Sequence, residues 1–235
     1  MSNTVATIPV INLLLGFVPA AAVVGVMWRW SVGGGTALYA VARMLVQLIA
    51  VGYVLAFIFA AEHALPVLGV LAVMLLAAGW IAIRPLHRRS GFRFRNALAA
   101  TAAGGIVSLL VATEGVLAVP RWFEPHVLVP LAGMAFSNAM NAVSLAAERF
   151  ESDCERGLAG VQARNAAMNA AMIPVVNSLF AVGLVSLPGM MTGQILSGVD
   201  PLLAVRYQIM VMAMIFAASG IASACYLVLA RREGQ

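Results

Sequence analysis

Residues 64–95, ALPVLGVLAVMLLAAGWIAIRPLHRRSGFRFR, place an apolar run directly before a cluster of arginines. Residues 64–83 carry no charged side chain, and as a helix they are long enough to cross the roughly 30 Å hydrocarbon core of a bilayer. The loop that follows, residues 84–95, holds five arginines. Short arginine-rich loops remain on the cytoplasmic side of a membrane. This stretch therefore predicts a membrane-spanning helix and its direction.

Composition extends that prediction to the whole chain. Apolar residues fill 63% of the 235 positions and charged residues only 10%, whereas a soluble domain is about 45–50% apolar and about 25% charged. No soluble packing arrangement hides such an excess of apolar surface from water. The predicted fold class is therefore all-α: a polytopic transmembrane helix bundle that forms a single domain over residues 1–235.

Seven apolar segments are long enough to span a bilayer, counting a short sixth one. The N-terminus lacks the positive region of a signal peptide, so the first segment is predicted to be a retained span. With the N-terminus outside and the C-terminus inside, twelve of the fourteen arginines lie at cytoplasmic ends. The predicted spans lie near residues 8–28, 37–60, 64–83, 97–119, 127–147, 170–187 and 203–230.

Several function classes are excluded by what the chain lacks. It contains no lysine, so it has no P-loop, whose lysine contacts the nucleotide phosphates. The net charge of +5 comes from arginines in short loops and indicates membrane topology, with no nucleic-acid partner. The three histidines lie in different loops, which predicts no metal site. We predict no catalytic residues, no cofactor in this chain and no enzyme activity.

The one sizeable polar stretch is AERFESDCERGLAGVQARN, residues 147–165, on the predicted cytoplasmic side. Phe150, Cys154, Leu158 and Val161 share one face at helical spacing, which predicts an amphipathic helix. Two interpretations stay open: a helix lying on lipid headgroups, or a coupling helix that docks a cytosolic partner. The candidate contacts for the partner are Glu148, Arg149, Glu151, Glu155 and Arg156.

Polar side chains inside the predicted spans form a second group of candidates, because they are costly in lipid. Arg43 and Gln47 lie one turn apart in the second span; Arg43 either snorkels to the interface or contacts a substrate. Asn138 and Asn141 in the fifth span, and Asn177 in the sixth, either hydrogen-bond between helices or line a substrate path.

The stretch LVSLPGMMTGQILSG, residues 184–198, interrupts the apolar pattern. Pro188 is predicted to end the sixth span, with Gly189 and Gly193 giving backbone freedom for a turn. Residues 188–200 are interpreted as an external re-entrant turn or half-helix, or alternatively as an ordinary external loop. Soft-metal binding by methionine is a weak alternative to apolar filling. The candidate path residues are Met190, Met191, Thr192 and Gln194.

Residues 177–209, NSLFAVGLVSLPGMMTGQILSGVDPLLAVRYQI, closely resemble the C-terminal signature of the FetB/YbbM-type permease family. Residues 43–55 and 130–150 resemble further segments of that family. The family comprises membrane subunits of ABC transporters implicated in bacterial iron export and metal or oxidative-stress resistance, with plant relatives associated with aluminium tolerance. The resemblance implies a multi-pass permease of the bacterial inner membrane.

The resemblance also implies how such a permease is assembled and energised. It implies a homodimer in the lipid bilayer, energised by a separate cytosolic ATPase subunit that binds ATP and Mg. The predicted cargo is iron or a related metal species, moved outward by alternating access. The alternative is a partner-free secondary transporter or a membrane scaffold, although secondary carriers usually contain internal repeats.

Overall fold

The structure is a computed structural model that describes residues 9–59, 63–86 and 90–231. The chain divides into two compact units, residues 1–60 and 61–235. The described residues are almost entirely helical, which confirms the predicted all-α fold class. The prediction of one transmembrane domain over residues 1–235 stays a prediction.

The first unit contains three helices: α1 (Val10–Leu15), α2 (Phe17–Arg29) and α3 (Gly34–Phe59). The α2–α3 turn closes with backbone bonds from the Ser31 N–H to the Trp28 oxygen and from the Val32 N–H to the Met27 oxygen. A Cβ at Gly34 would lie 2.1 Å from Cδ1 of Trp28. Only glycine at position 34 therefore accommodates the indole ring in this hairpin.

The second unit contains the remaining helices: α4 (Ala64–Ala82), α5 (Gly91–Leu110), α6 (Pro125–Glu155), α7 (Gly160–Ala181), α8 (Gly189–Leu196) and α9 (Pro201–Arg231). A π-helical segment, Val111–Val116, continues α5. Helix α9 packs against α5, α6, α7 and α8, while α4 packs against α5 and α6. The centre of this unit is thus formed by α5, α6 and α9.

Small residues let the central helices approach closely. A Cβ at Gly104 of α5 would lie 2.4 Å from the carbonyl oxygen of Ala218 in α9. A Cβ at Gly105 would lie 2.4 Å from the Phe136 ring in α6. Close packing of this kind is the main source of helix association in membranes, where lipid removes the hydrophobic driving force between helices. Fully buried alanines continue the same packing at 132, 135, 139, 146, 167, 218 and 222.

Six helices among the described residues are long and apolar enough to cross a membrane. They correspond to predicted spans one to five and seven. Helix α7 is 22 residues long, or about 33 Å, but does not belong to that apolar set because its first half is rich in polar residues. The total of seven spans, and the direction of the chain in the membrane, stay predictions.

Two of the predicted boundaries were wrong. The arginine-rich loop is shorter than predicted, because Ser90 caps α5 by accepting a hydrogen bond from the Arg93 N–H at 3.2 Å. Residues 91–95 are therefore helical, and residues 87–89 of that loop lie outside the described residues. Helix α7 ends at Ala181, before the Pro188 that was predicted to end it.

Candidate functional site

The segment between α7 and α9 contains the short helix α8, so the predicted half-helix is present. A turn at Gly183, with φ of +83°, follows the end of α7. The turn is closed by a hydrogen bond of 3.0 Å from the Gly183 N–H to the Ser186 oxygen. Pro188 then caps the start of α8. Whether this segment re-enters a bilayer stays a prediction.

The turns on either side of α8 depend on different glycines from those predicted. Gly189 and Gly193 are helical, and a Cβ at either would meet open space. The left-handed backbone lies instead at Gly183 and at Gly198, where φ is +89°. The hinge role predicted for Gly189 and Gly193 is therefore wrong, because neither position needs a conformation that only glycine adopts easily.

Asp200 fixes the start of α9. Its Oδ1 accepts hydrogen bonds from the backbone N–H groups of Leu202 at 2.9 Å and Leu203 at 3.2 Å. These are the orphan donors of the first helical turn, and Pro201 occupies the first helical position, where a missing N–H costs nothing. Residue 200 therefore acts as a helix cap that sets where α9 begins.

The end of α7, helix α8 and helix α9 border a half-open cavity of about 410 Å³. It has ten lining residues, of which nine are apolar or glycine and one is an amide. The end of α7 and its turn provide Leu179, Val182 and Gly183, and α8 provides Met191. The α9 residues that line the cavity are Val205, Gln208, Ile209, Met212, Ala213 and Phe216.

Gln208 is the polar group of this cavity. The residue is 6% exposed, and its Oε1 atom is buried without a hydrogen-bond partner among the described residues. Met212 lies one turn further along α9, so its side chain shares a face with Gln208. Sequence analysis missed both residues, because a lone glutamine in a long apolar segment resembles other tolerated polar residues in a span. The available signal in the sequence was that Gln208 lies one helical turn before Met212.

The predicted path residues of α8 lie close to this cavity, but their surroundings differ. Met191 lines the cavity directly, and Met190 is half-buried. The Thr192 hydroxyl donates to the Pro188 oxygen of its own helix at 3.1 Å. Gln194 resembles Gln208 in having a buried Oε1 with no partner in the described chain.

The other predicted path residues are not among those that line this cavity. In the first unit, when the Gln47 amide oxygen faces Arg43, it accepts from Nε at 3.1 Å and Nη2 at 3.2 Å. Asn138 of α6 is half-buried, whereas Asn141 of α6 and Asn177 of α7 are exposed. The structure therefore does not bring these asparagines to the cavity that Met191 lines.

Helix-to-helix hydrogen bonding by the polar residues of α6 and α7 finds little support. Asn138 Nδ2 donates to the Met134 oxygen at 2.8 Å, and the Ser137 hydroxyl donates to the same oxygen at 3.3 Å. The Ser178 hydroxyl donates to the Pro174 oxygen at 2.9 Å. Each of these bonds stays within one helix. The close contacts between helices are made by glycine and alanine instead.

The predicted coupling segment is not one helix. Helix α6 ends at Glu155, and the chain turns through Gly157, whose φ is +82°. The Leu158 N–H donates to the Asp153 oxygen at 3.1 Å, and the Gly157 N–H donates to the Cys154 oxygen at 3.0 Å. This is the Schellman pattern, in which glycine ends a helix in a left-handed conformation. The predicted amphipathic helix over 147–165 was therefore wrong.

Residues 154–162, the α6–α7 tip, form an exposed turn between two helices. All nine residues are exposed, including the charged pair Glu155 and Arg156 and the apolar Leu158 and Val161. A small apolar surface flanked by both signs of charge suits contact with another protein better than contact with lipid headgroups. The docking interpretation stays a prediction, and it concerns the α6–α7 tip.

Two of the predicted coupling residues are instead held in ion pairs within the chain. Glu151 Oε1 lies 2.6 Å from Arg93 Nη1 of α5, and the Glu151 side chain is only 13% exposed. Arg149 Nε donates to Asp153 Oδ2 at 2.8 Å, and Asp153 is 1% exposed. Glu148, Glu155 and Arg156 remain exposed. Glu151 therefore joins α5 to α6 and is a poor candidate for partner contact.

The six long apolar helices among the described residues define a multi-pass membrane protein. Residues 10–234 match the family described as uncharacterised protein family UPF0014, and the chain belongs to that family. No solved structure matches the chain.

The relatives found by sequence are bacterial and plant proteins. A UPF0014 membrane protein of Synechocystis is 38% identical over 220 residues, covering 87% of this chain and 85% of the relative. The probable iron export permease protein FetB of Escherichia coli is 34% identical over 207 residues, covering 81% and 78%. Protein ALUMINUM SENSITIVE 3 of Arabidopsis thaliana is 30% identical over 204 residues, covering 80% and 73%.

Proposed function

We propose that this chain is the membrane-spanning subunit of an ABC exporter of the bacterial inner membrane, with iron or a related metal species as cargo. The observation that carries the proposal is the 34% identity, over 81% of the chain, to a protein named as a probable iron export permease. The energy would come from a separate subunit that binds ATP and Mg, since a chain without lysine has no P-loop.

The geometry of α7 supports a separate subunit as the source of energy. Helix α7 begins at Gly160, next to the exposed α6–α7 tip, and ends at Ala181. Leu179 and Val182, at that second end, line the cavity. A push on the tip would thus reach the cavity through one helix of about 33 Å.

The packing of α7 limits how such a push is transmitted. Helix α7 packs against α6 and α9, and α6 is an unbroken helix from Pro125 to Glu155. Movement of the tip therefore displaces packed helices as bodies, which is the usual form of alternating access. The homodimer is part of the proposal, because one small permease chain is half of what an ABC transporter requires.

The test is co-purification of the chain with a candidate ATPase in mild detergent, together with measurement of ATP turnover. Reversing the tip charges by Glu155→Arg with Arg156→Glu should weaken the complex and abolish stimulated turnover, because interface charges determine docking. Glu114→Arg is the matched control: Glu114 is exposed in the π-helical segment that continues α5, at the other end of that helix from Arg93.

Three results would count against the proposal. One is a chain that is isolated without any ATPase and drives proton- or sodium-coupled flux alone in liposomes, which is the behaviour of a secondary transporter. Another is a monomer by light scattering in detergent that still transports at the full rate. Equal loss of turnover in the Glu114→Arg control would remove the docking role of the tip.

A further inference from the structure

Arg43 is a charged side chain well inside the long apolar helix α3 of the first unit. We infer that Arg43, together with Tyr39 on the same face of α3, binds the phosphate group of an anionic membrane lipid. Three observations support this lipid site: the depth of Arg43 in α3, the polar side chains beside it, and the positions of the acidic residues in the chain. The lipid site does not depend on the ABC assignment.

Helix α3 places Arg43 at a level where a bilayer is apolar. The helix has 26 residues and is about 39 Å long, so it is longer than the hydrocarbon core of about 30 Å. Arg43 lies nine residues after Gly34, the first residue of α3. With α3 centred in the core, the Arg43 Cα lies about 9 Å below the nearer core surface. A guanidinium does not lose its proton in proteins, so Arg43 requires an anion nearby.

Two polar side chains lie beside Arg43 on one face of α3. Tyr39 is one turn before it and Gln47 one turn after it, and residues four apart share a helix face. When the Gln47 amide oxygen faces Arg43, it accepts from Nε at 3.1 Å and from Nη2 at 3.2 Å. This contact uses two of the five guanidinium N–H donors. Both hydrogens of Nη1 and one of Nη2 are left by it.

The donors that Gln47 leaves suit a phosphate group. Arginine binds phosphate through two parallel N–H···O bonds, and Nη1 with the second Nη2 hydrogen presents such a pair. Tyr39 is 61% exposed and lies between Arg43 and the nearer end of α3, so its hydroxyl can donate to the same phosphate. Trp28 and Trp30, beside the α2–α3 turn, are exposed as well, as is typical of the headgroup level. A phosphate is drawn inward from that level because bilayers thin locally around an arginine.

The chain offers no carboxylate for this position. Residues 1–60 contain Arg29 and Arg43 but no Asp or Glu. The acids that the structure describes in the second unit lie in helix caps or within eight residues of a helix end, and two of them are held in ion pairs. They are Glu114, Glu124, Glu148, Glu151, Asp153, Glu155 and Asp200. A second copy of the chain would bring the same acids and another Arg43, so it supplies no better counter-charge.

The exposure of α3 favours a lipid over a soluble anion. Gly34 and Ile58 are the only buried residues of this helix. Next to Arg43, the apolar Val46 and Leu48 are exposed. A soluble anion would have to leave water for this apolar surface, whereas a lipid covers it with acyl chains and brings the phosphate with them.

The test measures lipid binding to the purified full chain in detergent micelles by native mass spectrometry. The probes are phosphatidylglycerol, which is anionic, and phosphatidylcholine with the same acyl chains, which is zwitterionic. We expect one tight site that prefers phosphatidylglycerol. Arg43→Gln should weaken that site about tenfold or more, as expected for the loss of hydrogen bonds to a charged group. Arg43→Lys keeps the charge but loses the paired donors, so its affinity should be intermediate.

Arg29→Gln is the matched control. It removes the same charge from the same unit, at the exposed last turn of α2. Its affinity for phosphatidylglycerol should stay within about threefold of the wild type, because exposed charge contacts contribute little. Circular dichroism checks that the helices of each variant are intact, and Arg43→Lys provides a second variant if Arg43→Gln does not fold.

Equal binding of the two lipids to the wild type would overturn the inference, as would equal losses in Arg43→Gln and Arg29→Gln. Displacement of phosphatidylglycerol by an equal concentration of inorganic phosphate would show that the site takes a free anion instead. A dimer that dissociates in Arg43→Gln, with lipid binding unchanged, would assign this face of α3 to a second copy of the chain.

Discussion

Arg93 and Glu151 lie 58 residues apart in the sequence, yet their side chains form an ion pair of 2.6 Å. The pair joins the first turn of α5 to the last turns of α6, next to the exposed α6–α7 tip. It therefore joins the two helices at the base of the α6–α7 tip, without belonging to the tip.

Removing this ion pair should reduce stability more than removing a tip charge. For Glu151→Ala we expect a loss of about 1–2 kcal/mol, between the values for exposed pairs and for stranding one partner of a buried pair. Glu151→Gln should cost less, because its amide oxygen still accepts from Arg93. The measurement is the apparent Tm in detergent, with the exposed Glu155→Ala as control. Equal shifts for Glu151→Ala and Glu155→Ala would contradict the assignment.

The contact between α5 and α9 gives a second prediction. Gly104→Leu should destabilise the protein by about 1–3 kcal/mol or more, because a Cβ there already meets the Ala218 oxygen at 2.4 Å. Gly69→Leu is the matched control, since a Cβ at Gly69 in α4 meets nothing within 4 Å. Thermal unfolding in detergent compares the two. Similar stability of both variants would show that α5 and α9 do not touch here.

The turn before α8 gives a third prediction. Gly183→Val should be strained by about 1–2 kcal/mol, because φ of +83° is unfavourable for a β-branched residue. Gly189→Val should fold normally, since Gly189 is helical and open. Expression level and apparent Tm measure both variants. A larger loss of stability in Gly189→Val than in Gly183→Val would show that the turn depends on Gly189.

Capping of α9 is tested at Asp200. Asp200→Ala should lower stability by about 1 kcal/mol through the loss of two hydrogen bonds to backbone N–H groups. Asp200→Asn should retain most of the wild-type stability, because its amide oxygen accepts the same bonds. Apparent Tm values of the three proteins decide the point. An Asn variant as unstable as the Ala variant would indicate a role for charge instead.

Orientation can be measured with single cysteines in a background that lacks both native cysteines, Cys154→Ser with Cys225→Ser. Leu158→Cys at the α6–α7 tip should react with a membrane-impermeant maleimide only from the cytoplasmic side. Leu196→Cys, at the exposed end of α8, should react only from outside. Intact cells and inverted vesicles provide the two sides. Labelling of both positions from the same side would reject the predicted topology.

The membrane class and most helices were predictable, because long uncharged apolar segments have few alternatives to a spanning helix. The break at Gly157 was not, since Phe150, Cys154, Leu158 and Val161 fit a continuous helix by spacing alone. The deciding signal was a glycine after Arg156, a common helix end. Helix-end signals of this kind compete with apolar periodicity, and here the left-handed glycine determined the structure.

The candidate site was predicted in part. The irregular α8 segment and Met191 were identified because polar and helix-breaking residues interrupted an apolar run. Gln208 and Met212 were not, because they lie within α9, a helix with no interruption. Gln208 and Met212 belong to the site because they line the cavity beside the α7–α8 turn. That depends on packing between distant segments, and sequence spacing does not report it.

The neutral lining of the cavity also bears on the electrical cost of transport. Moving one elementary charge through a potential of 100 mV changes its free energy by about 2.3 kcal/mol. The ten lining residues offer no ionised group to balance such a charge. On the transport function proposed above, a charged cargo in this cavity would therefore feel the membrane potential with no opposite charge from the lining, whereas a neutral cargo would not.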